Sequence, residues 1–548
     1  KKEIKLASTG ITKTYLEGVL GMKKSGFKKM VATFLLLCML ISMTAGCSKS
    51  GEQSSGQGSK EDGKSMSSKD SSTNSKAGTE SDAKKIKIEL VTGDSVVLPP
   101  EDDNFINQAL NEALDLDLTL TIMGAGDDYS TALNTRISGG EVPDMFAVPN
   151  KQSFQQYADS GLLMSLTPYL DKIKPVVEWV GGEDHLNPNI YKGEMYRVPK
   201  KGQRPYSIWN IRKDWMDAVD AEIPKTPEDV LEVAKKFAFE DPDGNGKDDT
   251  FGFSASGFGG LDAIVNTYGG SLGNHVIIRD NEVNSSILQP KMKDALKMCK
   301  EFIDAGVVDP DLTANNSDTL RDKLVQGKVG MTFYECSGLY KKMFMDQVLA
   351  VNPNAKWIWF DNIQGPESAD NETLDVSDVA GRWVISKEVE EDKEKRDRIL
   401  DLLNYVVSKE GLNLVSYGIE GRHYNIENEK IVPTEQMSKE CDFLWAYQIC
   451  FRDDLPYCQT KFPEAKDAFA SAHEADRYEI YDEAVDIPDG LHKSDMDKYI
   501  TDNMIKFVYG ERPVDEYDNF IQELKDSFQF DEYMEAAKSQ MKEKGYIK

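Results

Sequence analysis

The chain has 548 residues, with 65 Lys and Arg against 94 Asp and Glu and a formal net charge of -29. That length implies more than one domain or a large two-lobed body, and 40% hydrophobic residues suffice for ordinary packing, which excludes wholesale disorder. Strong acidity excludes a nucleic-acid binder, which needs a basic face, and disfavours adsorption of the folded body to an anionic bilayer. The five His (His185, His275, His423, His473 and His492) include no HExxH pair, which argues against a zinc hydrolase.

Read from Met22, the N-terminus has the layout of an export signal. Lys23, Lys24, Lys28 and Lys29 precede an uncharged run, Met30 to Ala45, that is short for a membrane span. Thr44-Ala45-Gly46 stands directly before Cys47 and resembles a bacterial lipobox, although Thr44 replaces the usual Leu. Residues 1–46 are therefore expected to be a signal peptide, with 1–21 upstream of the true start. Cys47 is expected to carry a diacylglycerol, and 47–85 to be a lipidated N-terminus and flexible linker. Ser48 to Glu80 has no aromatic residue and too few apolar ones to offset its chain entropy.

The body starts with an alternating strand at Ile86–Val91. Asp103–Leu114 has helical spacing, Leu116–Ile122 alternates again, Asp127–Ile137 is helical and Pro143–Val148 is a short buried strand. This rhythm predicts a parallel sheet covered by helices. A second unit begins near Arg204, with a strand at Ser207–Ile211 and a helix at Lys213–Val219. Thr226-Pro227-Glu228-Asp229 reads as a helix start, with Thr as N-cap and Pro in the first turn. Pro290–Ala305 and Arg398–Ser408 are amphipathic, and Val329–Phe333 and Gly381–Ile385 are strands. Strands separated by helices in both halves predict two α/β lobes.

The sharpest local motif is Asp241 to Asp249. Oxygen donors alternate at Asp241, Asp243 and Asn245, Gly246 supplies the turn, and the Lys247 carbonyl and Asp249 follow. Hard oxygens at alternate positions suit calcium, as a structural ion. Position twelve is Gly252, so the bidentate Glu of a full EF-hand is absent, and Thr250 or water would complete the shell. The plainer reading is an acidic turn. All seven Trp lie in the body, and aromatic faces mixed with polar groups suit sugar rings, although core packing is the commoner fate of a Trp. Trp209, Tyr334 and Trp383 lie in or at the ends of strands, where open α/β sheets bind ligands. Five Cys remain beyond Cys47: Cys299, Cys336, Cys441, Cys450 and Cys458. They are an odd set in which 441, 450 and 458 could hold one disulfide or be buried thiols. No GxSxG, kinase or phosphate-loop pattern appears.

The order of segments resembles the extracellular solute-binding proteins of ABC importers. ISGGEVPDMF (137–146), IRKDWMDAV (211–219), DPDGNGKDDTFGF (241–253), GKVGMTF (327–333) and SYGIEGRHY (416–424) carry the resemblance. It points to family 1 and to the LipO-like lipoproteins, related to alginate-oligosaccharide-binding proteins. The resemblance implies an α/β type II periplasmic-binding-protein fold with a hinged cleft between two lobes, expected as 86–206 plus 322–385 and 207–321 plus 386–548. It implies a monomeric, non-catalytic protein on the extracellular face of the cell membrane, delivering an oligosaccharide to permease subunits. It also implies calcium at Asp241, Asp243, Asn245, Lys247 and Asp249. Trp209, Tyr334, Glu335, Trp383, Arg422 and Tyr424 are the candidate ligand contacts, and Arg204, Arg212, Arg382 or Arg422 could receive a uronate. Competing readings are a surface-anchored polysaccharide-processing enzyme and a peptide or other solute receptor on the same fold.

Overall fold

A computed structural model describes residues 85–94, 96–377 and 380–548. The expected signal peptide, the lipidation site Cys47 and the tether lie outside the described residues. In chain order the first elements are β1 (Ile86–Thr92), α1 (Phe105–Leu114), β2 (Leu116–Ile122), α2 (Gly126–Ser138) and β3 (Met145–Ala147). Then come β4 (Ser207–Arg212), α3 (Pro227–Phe239), β5 (Phe251–Phe253), α4 (Met292–Asp304), β6 (Val329–Glu335) and β7 (Trp357–Phe360). The last are β8 (Thr373–Asp375), β9 (Trp383–Ile385), α5 (Lys393–Val407), α6 (Asp454–Lys461), α7 (Lys466–Glu474), β10 (Tyr478–Ile480), α8 (Lys493–Val508) and α9 (Phe530–Glu543).

Two four-stranded sheets organise these elements. The first has the order β9-β3-β1-β2, with β1 parallel to β2 and β3 and with β9 antiparallel to β3. Ile88 and Leu90 of β1 lie beside Leu118 and Leu120 of β2, so one apolar face is continuous. The second sheet has the order β7-β4-β6-β5, with β4 antiparallel to both neighbours and β6 parallel to β5. The helices are set by local chemistry. Thr226 Oγ1 accepts from Asp229 N at 3.2 Å and Asp229 Oδ2 accepts from Thr226 N at 3.1 Å, a capping box that satisfies orphan amides at the start of α3. Val230, Leu231, Ala234 and Phe237 then face the core from one side of the helix.

Strand pairing corrects the expected division of the chain. β6 and β7 fall within 322–385, which was assigned to the first lobe, yet both pair with β4 in the second sheet. Residues after 385 do not all join the second lobe either: α5 buries Ile399, Leu400, Leu403 and Val406 with Ile88 and Leu90 of the first sheet. The C-terminal helices α8 and α9 pack with Trp209, Phe253 and Met331 in the second core. Local sequence gives the type of each element, but the choice of neighbour rests on which apolar faces close a core, and that is a long-range property. Among the described residues the chain therefore changes lobe through 199–206, 361–377 and 451–483.

The crossings are tied together. β8 pairs parallel with β10. Arg477 Nη2 donates to the carbonyls of Ala472 (2.7 Å), Pro205 (3.3 Å) and Ser207 (3.3 Å), and Arg477 Nε lies 3.5 Å from Glu372 Oε2. One guanidinium thus touches all three crossing segments. Among the described residues no helix is long and apolar enough to cross a membrane.

Candidate functional site

The crossings form the floor of a cleft of about 660 Å³. Gln203 to Tyr206 line it from the first crossing and Thr373 to Asp375 from the second. Arg382, just before β9, and Asp442 and Trp445 come from the first lobe, while Glu335 at the end of β6 and Lys341 come from the second. Phe451, Arg452, Asp454 and the face of α6 bearing Tyr457, Cys458 and Lys461 complete the lining. Phe451 sits in the left-handed region at φ 53, a conformation that costs a bulky side chain energy and is retained where surroundings dictate it.

The lining mixes rings with charge. Arg452 lies 3.8 Å from the centre of the Tyr457 ring and pairs with Asp454 at 3.1 Å. Lys461 Nζ donates to Tyr457 Oη (3.1 Å) and to the Cys441 carbonyl (3.0 Å). Burial alone would raise the Tyr457 phenol, but the charges of Lys461 and Arg452 outweigh it and hold the group below its ordinary value. Arg204 donates to the Ala475 carbonyl (3.3 Å), and Arg382 donates to Thr92 Oγ1 (2.9 Å) and the Gly93 carbonyl (3.1 Å). The hydrogen bonds of these three cations end on neutral oxygens. Burial pushes Glu372, just outside the lining, up to about 7 despite Arg477, and pushes Asp375, in the lining, up to about 6.

Of the six candidate ligand contacts, Glu335 lines this cleft. Trp209 is fully buried in the second core, packed on Phe253, Phe333 and Phe360, and its Nε1 donates to Asn371 Oδ1 at 2.7 Å. Tyr334 is buried beside Leu320, Leu324 and Phe344. Trp383 and Tyr424 are buried in the first core. Arg422 pairs with Glu440 at 2.7 Å and lines a second pocket. Of the four arginines considered for a uronate, Arg204 and Arg382 reach the cleft, while Arg212 is buried and paired with Asp214 at 2.5 Å. Trp445, Phe451, Arg452 and Lys461 also line the cleft and were not among the candidates. Trp445, Phe451 and Arg452 lie in or beside a short 3-10 turn ahead of α6, and Lys461 ends α6; basic residues next to that irregular stretch were their one signal.

The 241–249 loop coils tightly, with positive φ at Asp241, Gly244 and Gly246. Asn245 N donates to Asp241 Oδ1 (3.0 Å) and Asp243 Oδ1 (3.2 Å), and Asn245 Nδ2 donates to Asp243 Oδ2 (2.8 Å) and Asp249 Oδ1 (3.0 Å). Burial, with Asp241 and Asp249 close by, holds the Asp243 carboxyl above its usual range although Asn245 N opposes this. The carboxylates converge on one amide, and among the described residues no group of three or more His, Cys, Asp or Glu is arranged to hold a metal ion. Thr250 is not a spare ligand, because its hydroxyl is buried and donates to the Phe237 carbonyl at 2.7 Å. A side chain at Gly252 would meet the Ala234 carbonyl oxygen at 2.3 Å, so close packing on α3 excludes an acid there. Cys299, Cys336, Cys441, Cys450 and Cys458 are all buried free thiols, so 441, 450 and 458 hold no disulfide here.

Comparison with known proteins places these features in context. The family model described as bacterial extracellular solute-binding protein matches residues 103–412. Lipoprotein LipO of Bacillus subtilis (strain 168) is 23% identical over 518 residues, covering 91% of this chain and 96% of that protein. The polygalacturonan/rhamnogalacturonan-binding protein YtcQ of the same organism is 25% identical, covering 74% of this chain and 76% of its own length. Among solved structures, the alginate-binding protein AlgQ2 without calcium ion superposes with a TM-score of 0.68 at 16% identity, over 84% of this chain and 98% of that one.

Proposed function

Because the chain belongs to the bacterial extracellular solute-binding proteins, we propose that it is the substrate-binding component of an ABC importer for an oligosaccharide bearing carboxylates. It acts as a monomer held on the outer face of the membrane by a lipid on Cys47. It delivers its sugar unaltered to the permease. The observation that carries this reading is the cleft, which Trp445 and Phe451 line together with Arg204, Arg382 and Lys461, three cations whose side-chain hydrogen bonds among the described residues end on neutral oxygens. YtcQ, named for polygalacturonan binding, supports an acidic sugar. Contacts from both lobes exist together only when the lobes approach, so ligand shifts the population towards a closed form that a permease can read.

A calcium ion completes the reading. The side-chain oxygens of Asp241, Asp243 and Asp249 are already linked through Asn245 in one turn, and with the Asn245 side-chain oxygen and the Lys247 carbonyl as further hard donors they would hold it with water in the remaining positions. The ion would supply charge neutralisation that pins the loop.

Titration with oligogalacturonides tests the reading. Tryptophan fluorescence should change saturably with no new reducing ends, and Trp445→Ala should weaken binding about tenfold or more while the protein stays folded. Depolymerised sugar would instead favour the processing enzyme, and binding of peptides alone would favour the other receptor class.

A further inference from the structure

Asp442 lines not only the cleft but also a neighbouring pocket of about 600 Å³ on the first lobe. We propose that this pocket is a second sugar subsite, taking the end of an oligosaccharide that runs out of the cleft past Asp442. The proposal rests on the reading that the cleft itself holds an oligosaccharide.

One wall is a fixed polar assembly. His423 is fully buried, and its Nδ1 accepts from Ile419 N at 2.8 Å, which leaves the ring proton on Nε2. Nε2 donates to Glu440 Oε2 at 2.9 Å, and Arg422 Nη2 reaches the same oxygen at 2.7 Å. Both bonds fall on Oε2, so Oε1 keeps its lone pairs for a ligand hydroxyl. The Arg422 guanidinium lies 5.4 Å from the centre of the Phe105 ring, and that ring packs at a tilt with its centre 4.4 Å from that of His423, so four side chains hold one another in place. Such a buried histidine orients a carboxylate and an arginine before any ligand arrives, which lowers the ordering cost of binding. The pocket also has an apolar wall, Val97 to Pro100, in which Val97 is 87% exposed. An aliphatic surface together with a fixed acceptor and a fixed cation is the mixture that a sugar ring with hydroxyls and a carboxylate requires. The two pockets are similar in size and adjoin at one residue, which fits consecutive units of a single chain better than two separate ligands.

Calorimetry of the full chain with oligogalacturonides and with fructooligosaccharides, each graded from dimer to octamer, tests this. Affinity should keep rising for oligomers longer than the cleft. Arg422→Ala and Val97→Asp should each cost the long oligomers about tenfold and leave the shortest bound oligomer unchanged. Val97 is a surface loop residue, so an unchanged melting temperature verifies that this variant folds. If both variants affect short and long oligomers equally, or if affinity stops rising once the cleft is filled, the second subsite is overturned while the oligosaccharide reading stands. Binding of neither series overturns both.

Discussion

Glu372 and Arg477 meet where the three crossing segments come together, and the protonation of Glu372 ties stability to pH. Burial raises the Glu372 carboxyl from 4.5 to about 7, with Arg477 and Ser207 opposing. Between those two values the folded protein holds a proton that the unfolded chain releases, so the contribution to stability is complete below the lower value and is lost as pH rises through the upper one. The melting temperature of the wild type should therefore fall between about pH 5 and about pH 8, and Glu372→Gln should flatten that fall. Parallel curves for the two proteins would show that this carboxyl is not the group responsible. Legibility at the same scale was uneven. Trp209 and Trp445 look alike as letters, yet one sits in a strand buried on both faces and the other in an irregular segment at the cleft. Strand position marked Trp209 as a candidate, but a β4 covered on both faces has no open side for ligand.

Elements were read more securely than residues. The capping box before α3 and the alternation in β1 and β2 are local signals that the structure realises within a residue or two. The loop at 241–249 was legible as an oxygen-rich turn, but the engagement of Thr250 with Phe237 and the closeness of Gly252 to Ala234 were not, because α3 supplies both partners from a distance. Calcium at a hundredfold excess over its Kd would stabilise the fold by about 2.7 kcal/mol, a shift of a few degrees at this size. A chelator should lower the melting temperature, calcium should restore it, and Asp243→Ala should abolish the response. An identical curve with and without chelator would remove calcium from the loop.

The described residues build two four-stranded sheets bridged by three crossing segments, and this was only half visible in sequence. Repeated strand and helix patterns give two α/β lobes, but the return of 329–360 to the second sheet and of 387–450 to the first depends on which apolar faces find each other. The result puts residues from both lobes and all three crossings around one cleft, and under the proposed function binding and closure would be the same event. Small-angle scattering of the purified chain during titration with an oligogalacturonide tests that claim most directly. The radius of gyration should shrink saturably, with the same midpoint as calorimetric binding, and the sugar should be recovered intact. Saturable binding with an unchanged radius would contradict a clamshell that closes on its ligand.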